Sequence, residues 1–149
     1  MMDMIVERTV DEWHNSLPKT SGVYRLINGT MGDRSKSERI KAVIALGESG
    51  DPRAVHPLMD CCSDNDALIR RHATEALLKL RSGRAVRVLI ERLKDKNEQL
   101  KTRERAASAL AAIRSYSAIQ GLRELYSDAD EDPALRSVVA EELHRVRLR

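Results

Sequence analysis

A leucine column limits what this chain can fold into. Leu46, Leu77, Leu110 and Leu143 stand 31, 33 and 33 residues apart. Other columns keep the same register. Seven residues before each leucine stands an arginine: Arg39, Arg70, Arg103, Arg136. Four before stands Ala42, Ala73, Ala106 or Val139. Five after stands Asp51, Ser82 or Ser115, twelve after Leu58, Leu89 or Leu122, and eighteen after Asp64, Asp95 or Asp128. Chance supplies one such column, not five in register. A period of this size marks a stacked array, in which each unit needs a neighbour to bury its apolar face.

The unit reads most clearly over Ala67–Asp95. Ile69, Ala73, Ala76, Leu77 and Leu80 recur at steps of three and four, one face of an α-helix. Arg71, Glu75 and Lys79 fall on the opposite face. Arg81-Ser82-Gly83 breaks the pattern, and the Ser82 hydroxyl suits the start of a second helix. Val86, Leu89, Ile90 and Leu93 line that helix. At the previous corner Asp51 is the expected N-cap. Pro52 follows at the first helical position, where its missing N–H costs nothing.

The pattern predicts a single all-α domain over 1–149, about nine helices in a short right-handed α-α superhelix. Residues 1–19 form an N-terminal capping helix, and 20–49, 50–80, 81–113 and 114–149 form helix pairs. Val23, Tyr24, Ile27 and Met31 are expected to point inward. Gly47 and Gly50 are expected at a corner. Asn15 sits in the leucine column of the first helix, a departure expected of a terminal element that faces water on one side.

Composition narrows the class. Aromatics are 3% and Phe is absent, so no thick ring-filled core is available. Alanine and branched aliphatics suit thin helical layers instead. The net charge of +3 comes from 26 basic and 23 acidic residues, interspersed as on a solvated surface. The two cysteines, Cys61 and Cys62, are adjacent and too few for a disulfide framework. No signal-length or membrane-length apolar run occurs, so a cytoplasmic location is expected.

Among helical repeats of this period, the tetratricopeptide and ankyrin patterns are missing. Ala45-Leu46-Gly47, Gly50-Asp51-Pro52-Arg53-Ala54-Val55 and Pro57-Leu58 resemble HEAT repeats, in the short form of phycobilisome lyase-like proteins. The resemblance covers Val23 to Leu148. It implies that helices starting near Ser37, Ala67, Leu100 and Ala134 line a concave side. It also implies an Asp–Arg ladder that orders the loops between layers: Asp33, Arg39, Asp64, Arg70, Asp95, Arg103, Asp128 and Arg136. The Asp-to-Arg spacing is six at Asp33/Arg39 and Asp64/Arg70, and eight at Asp95/Arg103 and Asp128/Arg136.

Related proteins include an iron hydroxylase of deoxyhypusine that binds metal through His-Glu dipeptides. Here His14, His56, His72 and His144 are followed by Asn15, Pro57, Ala73 and Arg145, and no other metal-ligand spacing occurs. No metal and no cofactor is expected. Cys62 shares a core column with Met31, Leu93 and Tyr126, which predicts a buried, inert thiol. Lys41, Arg71, His72 and Arg105 are interrupted by Glu75, Glu104 and Glu141, which argues against nucleic acid as partner.

The inner helices carry one asymmetry. Positions six and two before the leucine, and one after it, should point away from the core. In the second half they are Glu104, Ser108, Ala111, Ser137, Glu141 and His144. In the first half they include Ile40, Ile44 and Leu78, with Trp13 in the Ile44 column. Exposed apolar clusters mark contact sites. Either Trp13, Ile40, Ile44 and Leu78, fringed by Lys41, His72 and Arg105, form a partner site, or the N-terminal helix covers them. The expectation is a non-enzymatic scaffold with a protein partner, monomeric or weakly dimeric. The alternative is a bilin-lyase-like accessory protein that holds a tetrapyrrole. A nucleic-acid binder comes third.

Overall fold

The computed structural model describes residues 21–147. Within them run eight α-helices: α1 (Ser21–Gly29), α2 (Lys36–Glu48), α3 (Val55–Cys61), α4 (Ala67–Leu80), α5 (Val86–Lys94), α6 (Leu100–Ile113), α7 (Tyr116–Ser127) and α8 (Pro133–Arg147). No strand occurs among the described residues. The expected first helix and Trp13 and His14 lie outside them.

Helix starts follow local chemistry. Ser35, Asp66 and Ser115 accept first-turn N–H groups of α2, α4 and α7 through their side chains. Asp51 and Ser82 do cap, but each opens a 3-10 turn, Pro52–Ala54 and Gly83–Ala85, that leads into α3 and α5. Hydrogen bonds from the Arg53 side chain and backbone hold the Asp51 carboxyl down at about 2.

The helices form two rows. α2, α4, α6 and α8 stack on one another as the inner row, with α1, α3, α5 and α7 outside. The leucine column is the seam: Leu46, Leu77 and Leu110 are fully buried, with Leu58, Leu89 and Leu122 from the outer row. Gly47 lies inside α2, not at a corner. A Cβ there would meet the Ala76 Cβ at 2.6 Å, so α2 and α4 touch almost backbone to backbone. Such closeness needs a residue without a side chain at Gly47 and a small one at Ala76.

The ends differ from the middle. Val23 is buried, but Tyr24 and Met31 are 58% and 55% exposed, against the inward placement expected of them. Tyr24 packs under the Arg53 guanidinium, 5.1 Å from its ring centroid. The column that buries Cys62 and Leu93 completely leaves Tyr126 exposed. An edge layer lacks a described neighbour to close it, so its large side chains stay wet.

Inner-row helices turn off through left-handed residues. Gly50 has φ +66°, but Arg81 and Arg114, four residues past their leucines, adopt φ 52° and 61°. Glycine tolerates this backbone, while another residue there costs roughly 1–3 kcal/mol. The sequence pattern placed the break at Arg81-Ser82-Gly83 as a whole. The structure puts the reversal at Arg81.

Candidate functional site

The arginine column builds a ladder between loops. Arg39 Nη2 donates to Asp64 Oδ1 of the next joint, and Arg39 Nε to the Thr30 carbonyl at 2.9 Å. Arg70 forks onto Glu98, Nε to Oε2 at 2.7 Å and Nη2 to Oε1 at 3.3 Å. Arg92 adds a second guanidinium to Glu98 Oε2 at 2.8 Å. Arg103 Nη2 donates to Glu131 Oε2 at 2.7 Å, and its Nε to the Leu93 carbonyl at 2.8 Å. The arginines thus also satisfy carbonyls that helix ends leave open.

Two of the expected ladder acids are therefore replaced. Asp95 and Asp128 do not reach Arg70 or Arg103; Glu98 and Glu131 do. The reason is loop length. Asp64, Asp95 and Asp128 all make the same local turn, accepting the N–H two residues on, at Asp66, Asn97 and Asp130. The last two loops are longer by two residues, which carries the aspartate away from the arginine. A glutamate three residues later takes over. Asp33 is exposed and makes no side-chain bond among the described residues. Arg136 meets no carboxylate there; it donates to the Tyr126 carbonyl at 3.2 Å and lies over that ring.

The ladder carboxylates are tuned to stay charged. Burial pushes Glu98 and Asp64 up, but hydrogen bonds from Arg70 and the Gln99 N–H, and from Arg39 and the Asp66 N–H, hold both below ordinary values. The Arg103 bond does the same for Glu131. Burial pushes the Cys62 thiol up to about 12, and the Cys61 thiol also upward. A thiol held protonated is a poor nucleophile and a poor ligand.

The inner face carries the other expected residues. Ile44 is 37% exposed, while Ile40 and Leu78 are only half exposed and pack against the core. The inner helices sit close together, so the face open to water is narrower than a helical wheel implies. Ile40 also lines a shallow cavity of ≈ 470 Å³ with Lys36, Ser37 and Lys41. Lys36 is paired with Asp66 at 2.9 Å; Lys41 is exposed and has no ion pair among the described residues. His72 and Arg105 do converge, but on Glu75, at 3.9 and 3.5 Å, with Arg71 at 3.8 Å. Glu75 is thus a hub of charge rather than an idle solvated residue.

In the second half the same face is polar. Ser108 Oγ donates to Glu142 Oε1 at 3.1 Å, and Glu141 and His144 are exposed. Two apolar residues off the expected stripe, Leu68 and Leu100, stand 37% and 38% exposed in the first turns of α4 and α6. Their signal in the sequence was leucine outside the core register. His56, His72 and His144 lie on α3, α4 and α8. Among the described residues no three His, Cys, Asp or Glu side chains converge as metal ligands. No described helix is long and apolar enough to cross a membrane.

A family model described as HEAT repeats matches residues 24–102, more than half of the chain. The chain belongs to the HEAT-repeat family. This HEAT-repeat chain is similar in fold to human deoxyhypusine hydroxylase in complex with glycerol, with TM-score 0.74 and 20% identity over 90% of this chain and 46% of that one. It is also similar to the complex of CpcE and CpcF of phycocyanin lyase from Nostoc sp. PCC7120, with TM-score 0.66 and 20% identity over 87% of this chain and 54% of that one. The HEAT-repeat chain therefore spans about half the length of these structures. No curated protein matches it in sequence.

Proposed function

We propose that this HEAT-repeat domain is a non-enzymatic interaction module that binds a protein partner on its inner face. The observation that carries the reading is Ile44, 37% exposed on α2 beside the cavity that Ile40 and Lys41 line. A partner side chain that covered Ile44 fully would gain about 1.5–3 kcal/mol. Lys41 at the rim favours an acidic fringe on that partner and acts on encounter rate more than on affinity. Leu78 on α4 packs against the core and is half-buried.

The test is Ile44→Glu, read by circular dichroism and by pull-down with mass spectrometry from the source cell. The variant is expected to keep its helical signal and lose the captured protein. A sharp loss of thermal stability would instead make Ile44 part of the core and end this reading. The alternative, a lyase-like accessory role with a tetrapyrrole, is supported by likeness of fold to the phycocyanin lyase complex. A bilin absorbance band that shifts when free bilin is mixed with the protein would favour it.

A further inference from the structure

The left-handed arginines converge on one place. Arg81 and Arg114, with Arg145 of α8, line a single cavity of ≈ 250 Å³ at the C-terminal rim of the inner row. Ala111, Ala112 and Val146 give it apolar walls, and Ser108 and Glu142 complete it. Arg81 is exposed and has no side-chain partner among the described residues. Among the described residues the Arg114 side chain donates only to the Val146 carbonyl, at 3.2 Å. Arg145 is held loosely, 3.3 Å from Glu141 and 3.6 Å from Glu142. Among the described residues, three cations thus face one carboxylate in the cavity, Glu142, which Ser108 already engages.

Backbone cost sharpens the point. The equivalent position of the preceding joint is Gly50, which takes the same left-handed turn without strain. The fold therefore needs no side chain here. Two joints carry arginine in spite of the strain, and both guanidinium groups line the same cavity. Strain that the fold could avoid points to a use for the side chain.

We propose that this rim binds an extended acidic peptide segment, with one carboxylate in the cavity and others spaced along the arginines. Guanidinium forks match planar carboxylates two bonds at a time. Arg81 and Arg114 hold the same position in successive repeats, so they stand about one helix spacing apart, roughly 8–10 Å. Acidic residues three apart in a polyproline-II strand are about 9 Å apart on one side. The apolar walls suit the intervening residues. A phosphate chain fits worse, because Glu142 and the carbonyl ends of three helices repel dense negative charge. The rim uses residues other than Ile40, Ile44 and Lys41, so it stands apart from the inner-face site.

The probe is a dye-labelled peptide with glutamate at every third position and proline and alanine between, read by fluorescence anisotropy at fixed ionic strength. The variant is Arg81→Gly with Arg114→Gly, which removes both side chains and relieves the strain while keeping both turns. Its thermal midpoint is expected to equal or exceed that of the parent, while peptide affinity falls about tenfold or more. A peptide with the same glutamates clustered at one end should bind more weakly than the spaced one. No measurable binding of the spaced peptide, equal affinity in parent and variant, or tighter binding of single-stranded DNA or polyphosphate would each overturn the proposal. A lower thermal midpoint in the variant would also overturn it, since the arginines would then serve the fold.

Discussion

The Asp64 rung and the Glu98 and Glu131 rungs do one job with different acids. At the first, an aspartate both closes its own turn and receives Arg39. At the other two the jobs are divided. Asp95 and Asp128 close the turn, and a glutamate receives the arginine. All three rung acids still satisfy a backbone N–H four residues before the arginine of their own repeat: Asp66, Gln99 and Asp132. The longer loop shifts the acid by one position, and the longer side chain makes up the reach. What the repeat preserves is a location in space, not a residue type. The rungs differ in burial too: Arg103 and Glu131 are each 5% exposed, against 15% and 19% for Arg39 and Asp64.

That difference ranks the expected losses. Arg103→Ala strands Glu131 in a buried joint and should cost about 3–5 kcal/mol, as removal of one partner of a buried pair does. Arg39→Ala should cost less, because water reaches Asp64 once its partner is gone. Urea denaturation of both variants checks the order. Equal losses would mean that burial does not set the strength of a rung.

Reach can be tested at Glu98. In Glu98→Asp the shorter carboxylate cannot hold the Gln99 N–H and both Arg70 and Arg92. The expected loss is about 1–3 kcal/mol, the penalty for leaving buried polar groups unpaired. The parent also predicts an acid dependence. The folded values of Asp64, Glu98 and Glu131 lie below ordinary carboxylate values, near 4.5 for a glutamate. The unfolded chain then binds more protons as pH falls, so the rungs lend full stability above that value. They lose it as pH drops through the folded values. Glu98→Gln should flatten that fall, and an unchanged acid limb would show that Glu98 is not the group being protonated.

The two kinds of rung also mark how far sequence reading reaches. The leucine seam and the caps at Asp51, Ser82 and Ser115 were legible, because they depend on period and on neighbours within one turn. Glu98 and Glu131 were not, because counting ran from the leucine and the inserted residues lie before the acid. Counted back from Arg103 and Arg136, both stand at five. The buried shares of Ile40 and Leu78 were missed because a helical wheel contains no neighbours. The left-handed turn at Arg81 was legible only as a break over Arg81-Ser82-Gly83, because periodicity marks where a helix stops and not which residue reverses the chain.

The smallest effect belongs to the last arginine of the column. Arg136 faces no carboxylate among the described residues. Its Nε reaches the Tyr126 carbonyl at 3.2 Å, and its guanidinium lies 5.5 Å from the centroid of that exposed ring. A neutral acceptor replaces an ionic one, and water competes for both contacts. A cation–π contact at an exposed site contributes about 0.5–1 kcal/mol. Arg136→Ala should therefore cost no more than about 1 kcal/mol, well under the cost of Arg103→Ala one repeat earlier. Arg136→Lys should recover little of it, because an ammonium lacks the flat face that covers the ring. If Arg136→Ala instead matched Arg103→Ala in a urea titration, the carboxylate would not be what gives the inner rungs their strength. The ladder would then be held by the carbonyl contacts that Arg103 and Arg136 share.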